Sequence, residues 1–307
     1  MSSERLTILI TGCSPGGMGA ALAIAFHDAG QHVYATARNP SKLSLLATQG
    51  IETLALDITS ESSIASAVSA VIASLPAGKG LDMLVNNAAG NYTMPIADVS
   101  LFAAKELFDL NVWAQIAVTQ AFLPLLLKSA NAHSTTSSVW SHQIQTMIVN
   151  HTSVGSLMAL PFQGIYNASK AALAMVSETM RLELSPFGIR VIDLKTAGVR
   201  TNIIANNNVN VKGERLPTTS IYAPARDVVE KAMSQEGLSD RGITAEQWAG
   251  EVAALLLGRN PPAVIWKGAS ASTARLGTML PVGMFEGMIK KMTKLDVVEA
   301  IIKEDRR

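Results

Sequence analysis

A single cysteine, Cys13, among 307 residues excludes an internal disulfide. Such scarcity fits a reducing, cytosol-facing compartment. Charge is scarce as well: 16% of the residues are Asp, Glu, Lys or Arg, against roughly 25% in an ordinary soluble domain. The 25 basic and 24 acidic residues leave a formal charge of +1, and no basic run is long enough to follow a phosphate backbone. Nucleic acid is therefore not an expected partner. No apolar stretch reaches the roughly 18 residues that span a bilayer, and the longest ones resemble Ala121 to Leu127. Met1 to Gly12 lacks the basic start and long apolar centre of a secretory leader. The expected setting is cytoplasmic, without an integral membrane segment. What the chain does have is apolar substance, 48% of its residues, enough to build a core and to exclude global disorder. Its length exceeds the roughly 250 residues of one large α/β domain by too little for an obvious second domain.

Leu6 to Ile10 is a continuous apolar run that ends in Thr11-Gly12, a glycine cluster and the helical pattern Ala20 to Ala29. This reads as strand, turn, helix. The alternation repeats with strands at His32 to Thr36, Ile51 to Leu56 and Leu81 to Asn86, and helices at Pro40 to Thr48 and Ser60 to Leu75. Short apolar strands separated by helices predict a doubly wound parallel sheet, a Rossmann fold, buried on both faces. The deficit of charge follows from that burial. One long helix is expected over Ala103 to Leu127, kinked near Pro124, then a polar surface loop over Lys128 to Gln145. Further strands at Thr146 to His151, Arg190 to Leu194 and Ala263 to Lys267 alternate with helices at Gly164 to Leu184, Arg226 to Gln235 and Thr244 to Leu257. The expected organisation is one α/β domain over residues 1–270 and a helical C-terminal extension over 271–307. Met284, Met288, Met292 and Leu295 share one face of a predicted helix in that extension. Core packing is the usual meaning of such a stripe; the other readings are an apolar pocket wall or peripheral contact with a lipid surface.

The turn Thr11-Gly12-Cys13-Ser14-Pro15-Gly16-Gly17-Met18-Gly19 lies where the first strand meets the first helix. Glycines allow a backbone to approach a pyrophosphate closely, and the helix N-terminus offers unpaired N–H groups. Gly12, Ser14, Gly17, Met18 and Gly19 are the candidate contacts, and a tight turn without ligand is the competing reading. The second strand ends in Ala37-Arg38-Asn39, with no carboxylate to bind a ribose 2′-hydroxyl. Arg38 is thus expected to pair with a 2′-phosphate, which selects NADPH over NADH. Asp57, after the third strand, is placed either to meet the adenine side or to start the helix after Ser60. Asn87 and Ala88, in Asn86-Asn87-Ala88-Ala89-Gly90, follow the fourth strand where the sheet would lie against the nucleotide.

Tyr166 and Lys170, four positions apart in a predicted helix, lie on one face a single turn apart. A nearby ammonium would favour the phenolate and lower the pKa of a phenol, ordinarily about 10, toward neutrality. The pair alone has low specificity. Ser153 adds to it, since it follows the fifth strand at the same sheet edge, where a hydroxyl can hydrogen-bond a substrate carbonyl. Satisfying loop backbone groups is the alternative use of such a serine.

With these pieces in order from Leu6 to Thr201, the sequence resembles the short-chain dehydrogenase/reductase family. The matching segments are the Thr11 to Gly19 turn, Asn86-Asn87-Ala88, Asn111-Val112, Ser153, Tyr166 to Lys170 and Gly198 to Thr201. The resemblance implies that Tyr166 is the acid/base and that Lys170 holds the nicotinamide ribose and lowers the Tyr166 pKa. It further implies that Ser153 polarises the carbonyl, that Asn111 positions a water leading to Lys170, and that Val199 and Thr201 meet the nicotinamide end. Three departures stand out: a longer glycine turn, an additional alanine in Asn86-Asn87-Ala88-Ala89-Gly90, and Ala197-Gly198 in place of Pro-Gly. Phrases such as Thr36-Ala37-Arg38-Asn39-Pro40 and Phe162 to Lys170 resemble a fungal branch described as NADPH-dependent 1-acyldihydroxyacetone-phosphate reductase-like, close to the 17β-hydroxysteroid dehydrogenase type. That branch implies a bulky, lipophilic ketone. The expected function is NADPH-dependent reduction of a hydrophobic ketone, with oxidation of a secondary alcohol and a non-catalytic NADP-binding regulator as alternatives. A substrate-covering loop over about 198–225 and a homodimer or homotetramer built on the two long helices complete what the resemblance implies.

Overall fold

The computed structural model describes residues 5–136, 145–201, 215–235, 242–281 and 283–307. Seven parallel strands form one sheet: β1 (Thr7–Ile10), β2 (His32–Ala37), β3 (Glu52–Ala55), β4 (Met83–Asn86), β5 (Thr146–Ser153), β6 (Ile189–Thr196) and β9 (Val264–Lys267). Their order, β3-β2-β1-β4-β5-β6-β9, reverses direction between β1 and β4. Ligands of doubly wound sheets bind at the strand C-termini beside such a reversal. A short pair, β7 (Val199–Arg200) with β8 (Ile243–Thr244), lies beyond β6.

On one face, α1 (Met18–Asp28) and α8 (Ala245–Leu256) pack together over a core that includes Phe26, Ile10, Val85 and Trp248. On the other, α3 (Glu61–Ser74) and α5 (Ala114–Thr136) bury Val71, Val118, Phe122 and Leu126 against Leu9, Leu84 and Ile148. Side-chain caps start several helices: Ser60 accepts from the Ser63 N–H, and Thr244 from the Gln247 N–H. The short α2 (Ser44–Thr48) follows a 3₁₀ turn opened by Asn39 and Pro40.

Two expectations for the middle of the chain need correction. The long helix is three segments: α4 (Leu101–Phe108), a π-helical turn (Asp109–Trp113) and α5. It also runs past Lys128 to Thr136, where a loop was expected. Ser129 and His133, one turn apart, both reach Asp82 at the start of β4, and this anchor holds the additional turns in place. Residues 137–144 of the expected loop lie outside the described residues. The continuous helical run Leu101–Ser134, which contains an 18-residue window of mean hydropathy 1.5, is long and apolar enough to cross a membrane by length and composition. Its buried face is instead the floor of the second core, so it packs as a core helix.

A third apolar cluster sits above the C-terminal edge of the sheet. There α7 (Arg226–Met233) and α11 (Leu295–Asp305) meet through Val229, Met233 and Val298, and Tyr92, Met94, Phe162 and Leu216 complete the group. Before it come α9 (Ala271–Gly277) and α10 (Glu286–Thr293). The predicted single helix of the extension breaks at Lys294, whose φ of 63° is left-handed. Met284, Met288 and Met292 are 60%, 51% and 47% exposed, so this stripe is not core.

Candidate active site

Thr11, directly after β1, starts the turn that forms one wall of the site. Gly12 adopts φ 74°, and a Cβ there would lie 2.7 Å from the Ala88 Cα, so this position requires glycine. Gly19 allows α1 to approach the strand ends: a Cβ on it would strike the Asn87 amide and sit 2.5 Å from the Gly12 carbonyl oxygen. Asn87 reinforces the turn, its Nδ2 donating to the carbonyls of Thr11 (2.8 Å) and Gly12 (3.1 Å). Thr11 Oγ1 accepts from the N–H groups of Asn87 and Ala88. Gly17 caps α1 without any side-chain hydrogen bond, so the first N–H groups of that helix have no capping side chain. Such a terminus suits an anion.

A cavity of about 260 Å³ follows from this turn. Gly12, Ser14, Gly17 and Met18 border it on one side, Arg38 at the end of β2, and Ala88 after β4. Arg38 is exposed at the rim. Asp57 lies outside the wall, which Leu56 and Ile58 form instead. Its Oδ1 accepts from the Thr59 N–H (3.0 Å) and Oγ1 (2.7 Å), so the local turn before α3 occupies this carboxylate. Of its two possible uses, the structure displays the turn.

A second cavity, of about 230 Å³, adjoins the first and shares Met18, Asn87, Ala89, Asn91 and Thr201 with it. Ser153, Tyr166, Lys170 and Val199 border this one. Ser153 is the last residue of β5 rather than a loop residue after it, and its Oγ accepts from the Gly155 N–H at 3.1 Å. Tyr166 and Lys170 lie in the first two turns of α6, which spans Gly164–Leu184 as the sequence predicts. Lys170 Nζ donates to the His151 carbonyl at 2.8 Å and stands 6.0 Å from the Tyr166 ring centre. Burial pulls the Lys170 pKa down to about 8, opposed by the charge of Asp193. Burial also raises the Tyr166 pKa, while a hydrogen bond with Ser153 lowers it in part. The expected lowering by Lys170 is thus reversed, because desolvation of the phenolate outweighs the groups that favour it.

Asn111 lies in the π-helical turn and borders neither cavity. Its Oδ1 accepts from the Gly90 N–H (2.8 Å), and its Nδ2 donates to the Gly90 carbonyl (3.0 Å) and Ser169 Oγ (3.0 Å). It thereby ties the loop after β4 to the helix of Tyr166, and holds Gly90 despite the additional alanine. Gly19 likewise acts by packing rather than by lining a cavity.

The sequence reading passed over His151. Its ring is buried, stacked at 5.2 Å on Trp248, with Nδ1 2.9 Å from Asn87 Oδ1 and Nε2 2.6 Å from Thr196 Oγ1. Burial, together with the charge of Lys170, pulls its pKa down to about 3, so the ring is neutral. Because Asn87 Nδ2 donates to the glycine turn, its Oδ1 accepts from His151 Nδ1–H, and Nε2 accepts from Thr196. One neutral imidazole therefore connects the ends of β4, β5 and β6. Nearby, Lys195 Nζ pairs with Asp193 at 2.6 Å and donates to Ser156 Oγ at 3.0 Å, while Thr152 donates to the other Asp193 oxygen. The only sign of His151 in the sequence was its place two residues before Ser153. Asn91, Gln163 and Gln235, which also border the second cavity, carried no motif at all.

Similarity to known proteins agrees with this geometry. The short chain dehydrogenase family profile matches residues 6–212. A short-chain dehydrogenase/reductase of Pestalotiopsis microspora is 50% identical over 97% of this chain and 98% of its own. The NADPH-dependent 1-acyldihydroxyacetone phosphate reductase of Schizosaccharomyces pombe is 33% identical over 96% of each chain. Among solved structures, a short-chain dehydrogenase from Streptomyces avermitilis superposes with a TM-score of 0.71 at 24% identity, covering 97% of this chain and 98% of that one. One from Burkholderia cenocepacia, in complex with NADP, superposes with a TM-score of 0.66 at 22% identity, covering 93% and 98%. The order of the sheet, the glycine turn against Asn87, and the profile that matches most of the chain lead to one conclusion: the chain belongs to the short-chain dehydrogenase family, whose members are oxidoreductases.

Proposed function

We propose that this oxidoreductase uses NADPH to reduce a ketone on a largely apolar small molecule, with Tyr166 as the proton donor. The observation that carries the reading is the convergence of Ser153, Tyr166 and Lys170 on one cavity that shares Met18, Asn87, Ala89, Asn91 and Thr201 with the glycine-turn cavity. The residues of the first cavity suit a dinucleotide. An uncapped helix N-terminus meets a pyrophosphate, and Arg38 meets a 2′-phosphate where an acidic residue would select NADH. The NADPH-dependent relative from Schizosaccharomyces pombe supports the same choice. When bound, the nicotinamide supplies the hydride.

The chain supplies the proton and the orientation. Tyr166 Oη donates to the developing alkoxide, and Ser153 Oγ donates a hydrogen bond to the same oxygen. A phenol whose pKa is raised by burial is fully protonated at neutral pH, the form required for reduction. Lys170, a cation held by the His151 carbonyl, stabilises the phenolate that remains after transfer and is placed to hold the ribose. Asn111 acts through Gly90 and Ser169, which keep the loop and α6 in register; a water on the path to Lys170 would extend that role. Oxidation of an alcohol is the same chemistry reversed, with Tyr166 accepting the proton, and the supply of NADPH or NADP+ sets the direction. A non-catalytic binder would have no use for an acid–base tyrosine.

Tyr166→Phe tests the assignment. Turnover with a good ketone falls by about 10²- to 10⁴-fold while NADPH affinity is retained. Unchanged turnover would refute the assigned chemistry. The assembly proposed with it is a homodimer or homotetramer formed on α4, α5 and α6. Leu101, Phe102, Met175 and Leu182 are exposed there. Light scattering is expected to return a multiple of the 32.4 kDa chain mass, and a monomer at micromolar concentration would overturn it.

A further inference from the structure

Three carboxamides, Asn91, Gln163 and Gln235, stand in the wall of the cavity that holds Tyr166. Two of them are joined: Asn91 Nδ2 donates to Gln235 Oε1 at 3.0 Å, across 144 residues of sequence. That contact ties the loop after β4 to the end of α7, and Thr93 Oγ1 adds a second tie, to the Met233 carbonyl at 2.9 Å. Gln235 adopts φ 55° as α7 ends, a left-handed conformation that is costly for any residue with a side chain. The pairing leaves Asn91 Oδ1 buried without a hydrogen-bond partner among the described residues. A buried carboxamide oxygen in that condition is an acceptor waiting for a donor.

Charge narrows the choice of donor. Among the described residues that border this cavity, Lys170 is the one fixed cation, and it is already engaged with the His151 carbonyl. No arginine stands there to fork onto a phosphate or carboxylate. The remaining wall carries no charge and is mixed, apolar at Met18, Val154 and Val199 and polar at Asn87, Thr152 and Thr201.

We infer that the Asn91–Gln235 pair is a specificity device that recognises a hydroxyl group on an uncharged ketone, with Asn91 Oδ1 accepting from that hydroxyl. This inference rests on the reductase reading above and deepens it by naming the substrate class. With Lys170 the one fixed cation among the described residues of this wall, a phosphate ester falls outside that class.

The test compares matched pairs on the NADPH-loaded protein: an aryl methyl ketone with and without a ring hydroxyl, and an acyl dihydroxyacetone with and without its phosphate. Binding is read by quenching of NADPH fluorescence, and turnover separately by NADPH consumption. The hydroxylated ketone is expected to bind about 10- to 100-fold more tightly than the plain one, as the loss of a partner for a buried polar atom would give. In Asn91→Ala and, independently, Gln235→Leu, this ratio falls toward one, with the change in KM rather than kcat. The free dihydroxyacetone should bind better than its phosphate. Equal binding of the ketone pair by the wild type, or a ratio unaffected in both variants, would overturn the inference. So would a preference for the phosphate. A weaker affinity for NADPH itself in Asn91→Ala would assign that oxygen to the cofactor, against the inference. Hydroxyl preference in binding without any NADPH consumption would instead sink the reductase reading while sustaining the pocket.

Discussion

The role proposed for Lys170 comes at a cost in stability, and Lys170→Met separates the two. Burial holds its pKa at about 8, against 10.5 for the free side chain. That difference of 2.5 units, at about 1.4 kcal/mol each, makes the charged form about 3 kcal/mol dearer in the folded chain at pH 7. Methionine removes the charge and keeps most of the volume, but abandons the 2.8 Å hydrogen bond to the His151 carbonyl. Leaving that acceptor unpaired returns about 1–2 kcal/mol. The variant is therefore expected to be about 1–2 kcal/mol more stable than wild type without cofactor, and catalytically crippled. A pH signature accompanies the gain. Below pH 8 the lysine is protonated in both folded and unfolded chains, and the full penalty applies. Between about pH 8 and 10.5 the unfolded chain holds the proton and the folded chain does not, so wild-type stability rises with pH. The advantage of the variant should fade over that interval. Urea unfolding followed by tryptophan fluorescence at pH 7, 8, 9 and 10 measures it. A variant destabilised by more than about 1 kcal/mol at pH 7, or an advantage independent of pH, would refute the reasoning.

Arg38 and Gly19 give two further tests. Replacing Arg38 by Ser should lower the preference for NADPH over NADH by about 10- to 100-fold, mainly through NADPH affinity, because an exposed charge-assisted contact to a phosphate is lost. A preference for NADH in the wild type would contradict the role given to this arginine. Gly19→Ala places a methyl group against the Asn87 amide and the Gly12 carbonyl, which are hydrogen-bonded to each other. A loss of about 1–3 kcal/mol in denaturant unfolding is expected, together with weaker NADPH binding, and a neutral effect would show that the turn yields readily.

Much of this architecture is legible in the sequence because it rests on local signals. Helix α6 begins at Gly164 and ends at Leu184 as its pattern predicts, and the alternation of apolar runs with helices marks every strand of the large sheet to within a few residues. The failures have physical causes. Residues 128–136 read as a loop because Ser, Asn and His are indifferent helix formers. Their helix is held by Ser129 and His133 on Asp82, a contact between elements some 50 residues apart. The methionine stripe reads as core because a helical period implies a partner, yet no described element covers Met284, Met288 or Met292. The break at Lys294 then turns the chain back so that Val298, not the methionines, reaches the third core.

The same division explains the site. Ser153, Tyr166, Lys170 and the glycine turn are found because each belongs to a short motif whose spacing has a mechanical meaning. Position after a strand left Asp57 two uses, at the adenine side or before α3, and the contacts it makes are local, to the Thr59 N–H and hydroxyl. The direction of the Tyr166 shift was misjudged for another reason. Spacing reports the distance to Lys170, whereas burial, which dominates, depends on everything packed around the ring. Other contacts around the site are of this second kind. His151 finds Asn87 across 64 residues and Asn91 finds Gln235 across 144, so neither pair has a spacing to read. The features shared with the family lie in short motifs, whereas these contacts exist only once the sheet has assembled.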